Sequence, residues 1–440
     1  MKNIFHKITA IVAVFAICLS FTGCSLFSEP NKGAYNGQGL PDSTVSAQSV
    51  VFKTQEETER KALSRAEAVS MVERSVVAIQ MDKEGSTSFG AGVIVDLEDD
   101  VLNEFYVITA HHVIADGGKI TVYVPDSQTR NYTDEDYDEK FTFTGVIDNY
   151  IHETNAITLV GGDAESDVAV LKLNLEGTSV SNQDIIPAKL PTEDYSLMRG
   201  EDVFAIGNPS GKLPMTVSAG IVSYLDREVY ISEVGYMNLT QIDVQINHGN
   251  SGGGLFNLYG ELVGITNSGS ETYDGINYSI PFRVTYSEND TGFVNIASQL
   301  IGSKTENNYG YVSGRWQLGI VTKQKTSEYG GKVLVALTSI VPDSNVDRSN
   351  KANPDSAIKV DDIITKITFN DGESDVEMKV SSVSDLSSAV YTMKKYLTLG
   401  DSFTITVIRV LGYREETINS TITLSVQNIF CNTGNAIVTE

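Results

Sequence analysis

The chain has few of the residues that would staple it together or bind it to a polyanion. Its 440 residues include 3 cysteines, 5 histidines and 1 tryptophan. Cys18 and Cys24 lie at the N-terminal end and Cys431 near the other, so there is no disulfide framework and the fold must rest on its apolar core. The scarce His and Cys show no metal-ligand spacing, which implies neither a metal nor a cofactor. Basic residues are also short: 32 Lys and Arg stand against 57 Asp and Glu, for a net charge of −25. Such a balance excludes nucleic-acid binding, which draws on clustered Lys and Arg to displace counterions. Long apolar runs are absent too. The stretch Ile8 to Leu19 falls short of the about 17–25 residues of a membrane-spanning helix. Preceded by Lys2 and Lys7, it fits a signal-peptide core.

Just beyond it, Phe21-Thr22-Gly23-Cys24 resembles a bacterial lipobox, with Phe21 where leucine is commoner. The reading is a signal peptide at 1–23 and a lipid on Cys24, followed by a flexible tether over 24–52. From Ser25 to Ser49 the tether is rich in Gly, Ser, Asn, Gln and Pro without apolar period. The protein is therefore expected outside the cytoplasm, lipid-anchored to the bacterial cell membrane. Glu56 to Val72 reads as an amphipathic helix. Short β-branched runs then recur between turn residues: Val76 to Met81, Gly92 to Val95, Phe105 to Thr109, Ile120 to Val124, Val168 to Leu173, Val203 to Ile206 and Leu262 to Ile265. Without intervening helices, these predict antiparallel sandwiches or barrels over 53–300. The acidic run Asp134 to Glu139 lacks the glycine and final glutamate of a calcium loop and reads as a solvated connection.

Polar residues 287–309 read as a junction to a second unit at 301–425, with a tail at 426–440. That unit shows strands near Leu318 to Val321, Val333 to Leu337, Ile363 to Ile367 and Phe403 to Arg409. A helix over Leu386 to Leu397 would be capped by Ser384 or Asp385.

The strongest local signal is Asn247-His248-Gly249-Asn250-Ser251-Gly252-Gly253. Glycines beside a serine free its hydroxyl from Cβ clashes and let the amides of Gly249 and Ser251 converge on an oxyanion. A serine nucleophile needs a base, and the base needs an orienting carboxylate. His6 lies in the signal peptide, His248 abuts the serine and His152 sits in a polar stretch, whereas His111 and His112 end an apolar strand. Asp167 opens the run Asp167-Val168-Ala169-Val170-Leu171 and is the candidate carboxylate. Gly249-x-Ser251-x-Gly253 also fits a nucleophile elbow, but that mechanism needs a histidine after the serine, and none follows His248. The order histidine, Asp167, Ser251 is instead that of a chymotrypsin-like double barrel.

Thr109-Ala110-His111-His112-Val113, Asp167-Val168-Ala169-Val170-Leu171 and Gly249-Asn250-Ser251-Gly252-Gly253 together resemble the three signatures of HtrA/DegP-like serine proteases. Ile206-Gly207-Asn208-Pro209-Ser210-Gly211, Gly220-Ile221-Val222-Ser223 and Gln241-Ile242-Asp243 resemble further family motifs. The resemblance runs over about residues 68–285 and selects His112, which precedes Val113, as the base. It implies a mostly β protein: a double six-stranded antiparallel barrel at 53–300 and a C-terminal PDZ-like α+β domain at 301–425. The activity implied is a serine endopeptidase with catalytic His112, Asp167 and Ser251 and an oxyanion hole at Gly249 and Ser251. It would act on unfolded or misfolded extracytoplasmic polypeptides and assemble as a homotrimer. Substrate backbone would dock on Ile265-Thr266-Asn267, with Gln245 at the base of the specificity pocket. A peptide carboxylate would meet Gln317-Leu318-Gly319-Ile320. The chain departs from the pattern at His248, where the family usually has proline, and at Asp361, where it usually has glycine. The runner-up reading is a catalytically weak, chaperone-like holder of peptides on the same surfaces.

Overall fold

The computed structural model describes residues 46–439 except 56–59, 84–85, 99–100, 116–117, 126–141, 148–155, 179, 181, 209–215, 232–234, 270–273, 285–291, 305–308, 327–332, 343, 413 and 426–436. The segment expected to be a signal peptide, Cys24, the acidic run at 134–139, His152, Pro209 to Gly211 and Cys431 lie outside the described residues. Among the described residues no helix is long and apolar enough to cross a membrane.

The chain enters the fold through helix α1 (Arg65–Val72). Ser64 caps it by accepting from the Glu67 N–H, while the Glu67 side chain reaches back to the Ser64 N–H. Residues 60–64 are not helical, and this reciprocal cap starts the helix at Arg65, later than the composition of 56–72 suggests, because a local side-chain bond defines the first turn better than propensity does. The first lobe follows: β1 (Val76–Lys83), β2 (Ser86–Val95), β3 (Glu104–Ala110), the one-turn helix α2 (His111–Ile114), β4 (Gly118–Tyr123), β5 (Thr142–Ile147), β6 (Ile157–Asp163) and β7 (Val168–Asn174). They form one antiparallel sheet in the order β5-β4-β1-β2-β3-β7-β6. It counts seven strands rather than six, since β4 takes β5 as a further hairpin partner before the sheet comes round to β6.

The second lobe holds β8 (Asp202–Gly207), β9 (Thr216–Ile231), β10 (Gly235–Ile242), β11 (Gly254–Asn257), β12 (Leu262–Gly269) and β13 (Asn277–Pro281). These close into a six-stranded barrel in the order β10-β13-β12-β11-β8-β9, which leaves no free edge. The strands shared between the cores explain the unbroken apolar runs of the sequence. Ile94, Val107 and Leu171 point into the first lobe, whereas their neighbours Val93, Ile108 and Val170 join the core continuous with the second. Alternate residues face opposite sides, so burying both sides removes the polar alternation.

The polar stretch read as a junction contains helix α3 (Phe293–Gly302). Phe293, Ile296, Ala297 and Leu300 recur at helical spacing and are buried in the second core. The Ser298 hydroxyl donates to the Val50 carbonyl at 2.5 Å and accepts from the Val50 N–H at 2.8 Å, tying down the N-terminal strap.

The C-terminal unit has β14 (Ile320–Thr326), β15 (Val333–Ile340), α4 (Asn345–Ala352), β16 (Ile363–Asn370), β17 (Asp375–Lys379), α5 (Val383–Tyr396), β18 (Ser402–Leu411), β19 (Arg414–Thr423) and β20 (Ile437–Thr439). Its sheet runs β19-β18-β16-β15-β14-β20, with β17 on β16, over a separate core around Leu318, Ile367, Leu386, Met393 and Ile405. The cap of α5 is Ser382, with Asp385 three residues in. It is neither Ser384 nor Asp385, because only Ser382 completes the reciprocal bond with Asp385. Asp361 takes φ of +71°, the left-handed backbone that favours glycine, and so explains why glycine is usual there.

Candidate active site

The two histidines do not end a strand. β3 stops at Ala110, and His111 and His112 open the single turn of α2. Successive residues of a helical turn point about 100° apart, so the two diverge: His111 is 3% exposed, whereas the His112 side chain is 43% exposed. Burial holds the His111 imidazole below its usual proton affinity, and its Nε2 has no hydrogen-bond partner among the described residues.

Asp167 is fully buried and adopts φ of +54°. A left-handed backbone costs an L-residue about 1–2 kcal/mol, though aspartate tolerates it better than most, so its surroundings must hold it there. The Asp167 carbonyl accepts from His111 N–H at 2.9 Å. Its Oδ1 accepts from His112 N–H at 2.8 Å. Its Oδ2 lies 2.7 Å from His112 Nδ1 and accepts from Asn267 Nδ2 at 2.6 Å. An ionised carboxylate can only accept, so the neutral imidazole that fits this pair is the tautomer protonated at Nδ1, with the lone pair on Nε2.

Ser251 sits in a loop shaped by steric exclusion. Gly252 has φ of +82°, and a Cβ there would lie 2.2 Å from both the Ala91 carbonyl and Thr109 Oγ1. A Cβ on Gly253 would meet the Ile206 carbonyl at 2.3 Å. Gly249 has φ of +95° and gives its carbonyl to the Asn208 N–H at 3.2 Å, which assigns a purpose to the Asn208 of the upstream motif. The Ser251 carbonyl accepts from Ala91 N–H at 2.9 Å. The Ser251 hydroxyl donates to the Asn267 carbonyl at 2.9 Å.

Asn267 therefore joins both halves, with its amide on Asp167 and its carbonyl on Ser251. This differs from the expected docking strand. Ile265 pairs with Gly254 on one side and Ile280 on the other. Thr266 donates its N–H to Gly253 and accepts Gly252 N–H, and its hydroxyl faces the Asn250 and Gly253 carbonyls. Both residues are engaged inside the barrel and offer no open backbone to a substrate. Gln245 is exposed just upstream of the serine loop, and its carbonyl accepts from the Ser218 hydroxyl at 2.9 Å. His248 is exposed.

In the C-terminal unit, Gln317 to Ile320 faces the start of α4. The Gln317 carbonyl accepts from Asn345 Nδ2, the Leu318 carbonyl from Val346 N–H, and the Gly319 carbonyl from Val341 N–H. Ile320 pairs with Ile437, because β20 runs parallel along the outer edge of β14. That edge, which follows the loop expected to meet a peptide carboxylate, is taken by the chain itself. The parallel direction carries the chain end away from the loop.

Two β lobes with a histidine held on a buried carboxylate beside a glycine-framed serine define the trypsin-like class of architecture, and residues 90–265 match the family model of the trypsin-like peptidase domain. The chain is similar to the serine endoprotease DegS of Escherichia coli (strain K12), 34% identical over 207 residues, 45% of this chain and 46% of that one. It is also similar to the periplasmic serine endoprotease DegP of the same strain, 30% identical over 321 residues, 71% of this chain and 54% of that one. The serine endoprotease from Yersinia pestis, a solved structure, aligns at 25% identity over 83% of this chain and 98% of that one, with a TM-score of 0.43. The chain spans about half the length of the curated relatives it matches. The resemblance to HtrA/DegP-like serine proteases read from the motifs is the one these relatives return.

Proposed function

We propose that the protein is a serine endopeptidase hydrolysing unfolded or misfolded polypeptides outside the cytoplasm. Three kinds of support meet: the motif order, the likeness to proteins named as serine endoproteases, and one geometric observation that carries most weight. Asp167, His112, Asn267 and Ser251 belong to one hydrogen-bonded path across the two lobes. In the proposed reaction the Ser251 hydroxyl turns from the Asn267 carbonyl and gives its proton to His112 Nε2 as Oγ attacks the peptide carbonyl. Asp167 stabilises the imidazolium, and the amides of Gly249 and Ser251 stabilise the oxyanion. Removal of one such donor costs about 2.7–4 kcal/mol in a comparable site. His112 then protonates the departing amine, and water, deprotonated by the same imidazole, releases the acyl group from Ser251.

The proposal includes a lipid on Cys24 anchoring the protein to the membrane, a PDZ-like C-terminal unit and assembly into homotrimers. A C-terminal peptide binding along β14 would first displace β20. The second reading, a peptide holder with an idle site, draws on the Ser251 hydroxyl being donated to Asn267. Degradation of an unfolded model protein by the chain lacking residues 1–50, beside Ser251→Ala, separates the two. The peptidase reading expects cleavage by the first and none by the second. Binding without cleavage by both favours the holder.

A further inference from the structure

Between β6 and β7 the chain makes the turn Asp163-Ala164-Glu165-Ser166-Asp167, whose last residue is the carboxylate of the active site. Asp163 and Ser166 are both buried. The Ser166 N–H and hydroxyl donate to Asp163 Oδ2 at 3.1 and 2.6 Å, closing the turn from within. From outside, Arg315 lays its guanidinium along the same carboxylate: Nε is 3.1 and 3.2 Å from the two oxygens, and Nη2 is 3.0 Å from Oδ2. Arg315 Nη1 also lies 3.4 Å from Glu165.

Arg315 belongs to neither lobe. It precedes Trp316, a core residue of the C-terminal unit. Lys394, on α5, pairs with Glu165 and lies 5.5 Å above the Trp316 ring. The same helix reaches the second lobe, where Tyr391 donates to Glu228 at 2.7 Å and stacks on Tyr236 with centroids 4.4 Å apart.

We infer that Arg315 is a positioning residue for Asp167: it fixes the Asp163 carboxylate, the carboxylate fixes the turn, and the turn aims Asp167 at His112. Without the guanidinium, Asp163 would be a buried carboxylate left to the Ser166 donors, and a buried charge so poorly compensated takes a proton or moves toward water. Either change loosens the bonds that precede the left-handed Asp167. Burial by itself would push the Asp163 carboxyl up, yet Arg315 and Ser166 hold it below the usual carboxylate range. The catalytic geometry is thus set in part by a residue carried with the C-terminal unit, and undocking that unit would withdraw it. The inference rests on the peptidase reading and assigns that site a device for its control.

The test uses the full chain with Arg315→Met and Arg315→Lys. It reads kcat and KM on a fluorogenic peptide amide and the far-downfield proton resonance of His112 Nδ1. Asp362→Asn, which breaks a buried ion pair remote from the site, serves as the lesion of stability alone. Arg315→Met is expected to lose about tenfold or more in kcat with KM nearly unchanged, as displaced catalytic groups do, and to shift or broaden the resonance. Arg315→Lys should recover part of both, since an ammonium pairs with Asp163 without the planar fork. Asp362→Asn should lower the unfolding temperature and, read well below it with the C-terminal unit folded, leave kcat and the resonance alone. Wild-type kcat and resonance in Arg315→Met overturn the inference. If Arg315→Met does not fold, the same outcome in Arg315→Lys overturns it. A folded wild type that neither hydrolyses the amide nor reacts with a fluorophosphonate overturns the peptidase reading, and this inference with it.

Discussion

Two turns of this molecule are built alike and employed differently. At 163–167 and at 359–362, a left-handed aspartate lies near a buried aspartate gripped by an arginine fork. Asp167 has φ of +54° and Asp361 of +71°; Asp163 is held by Arg315 and Asp362 by Arg409, whose Nε and Nη2 meet its oxygens at 2.8 and 2.7 Å. The left-handed side chains point opposite ways. Asp167 is buried against His112, whereas Asp361 is 80% exposed beside Lys325. The arginines differ in origin as well. Arg409 comes from β18 of the same unit, so its clamp acts on one core, but Arg315 arrives with a different unit from the turn it holds. A clamp within a unit stabilises, and a clamp across units couples.

The largest contrast is expected from the left-handed aspartates themselves. Asp167→Asn should lower kcat by about 10⁴-fold, because the amide offers a donor where Nδ1–H needs an acceptor and the imidazole turns to the wrong tautomer. Steady-state kinetics on a peptide amide reads this, and a loss under tenfold would remove Asp167 from the proposed role. Next comes Asp362→Asn, which leaves Arg409 without its carboxylate. Breaking a buried pair costs about 3 kcal/mol at the lower end of the usual range, so urea unfolding should show a loss of that order for the C-terminal unit with kcat unaffected.

A smaller effect concerns His111. Its proton affinity is depressed by burial in the native state, while the unfolded chain takes up that proton near pH 6.5. The unfolded state then binds more protons below that pH, so stability present above about pH 6.5 is lost as the pH falls through it. Unfolding temperatures at about pH 7.5 and about pH 5.5 should differ less in His111→Leu than in the wild type. Smallest is Asp361→Gly, which relieves a left-handed residue at a cost in unfolded-state entropy; a change within about 1 kcal/mol is expected. Calorimetry measures it, and a large destabilisation would mean that the exposed Lys325 pair matters more than the backbone.

What could be read in the sequence was what short-range sterics write there. The glycines around Ser251 and the acid opening the run Val168 to Leu171 are local demands, and they stand together in the structure. Helix α3 was also legible in the spacing of Phe293, Ile296, Ala297 and Leu300, but the polar residues around it masked that period. Asn267 was noticed only for its strand position, whereas its side-chain amide and backbone carbonyl also tie Asp167 to Ser251. Arg315 gave no sign at all, because its partner lies 152 residues away and a lone arginine before a tryptophan has no pattern. Contacts across units are the part of a site that local reading misses.

The function proposed for this site stands or falls with Ser251 as a nucleophile activated by His112 and Asp167. The most direct test is covalent labelling of the folded chain with a fluorophosphonate, followed by peptide mass mapping. One adduct is expected, on Ser251, and it should be lost in His112→Ala at unchanged secondary structure. An adduct on another residue, or equal labelling of Ser251 in His112→Ala, would contradict it.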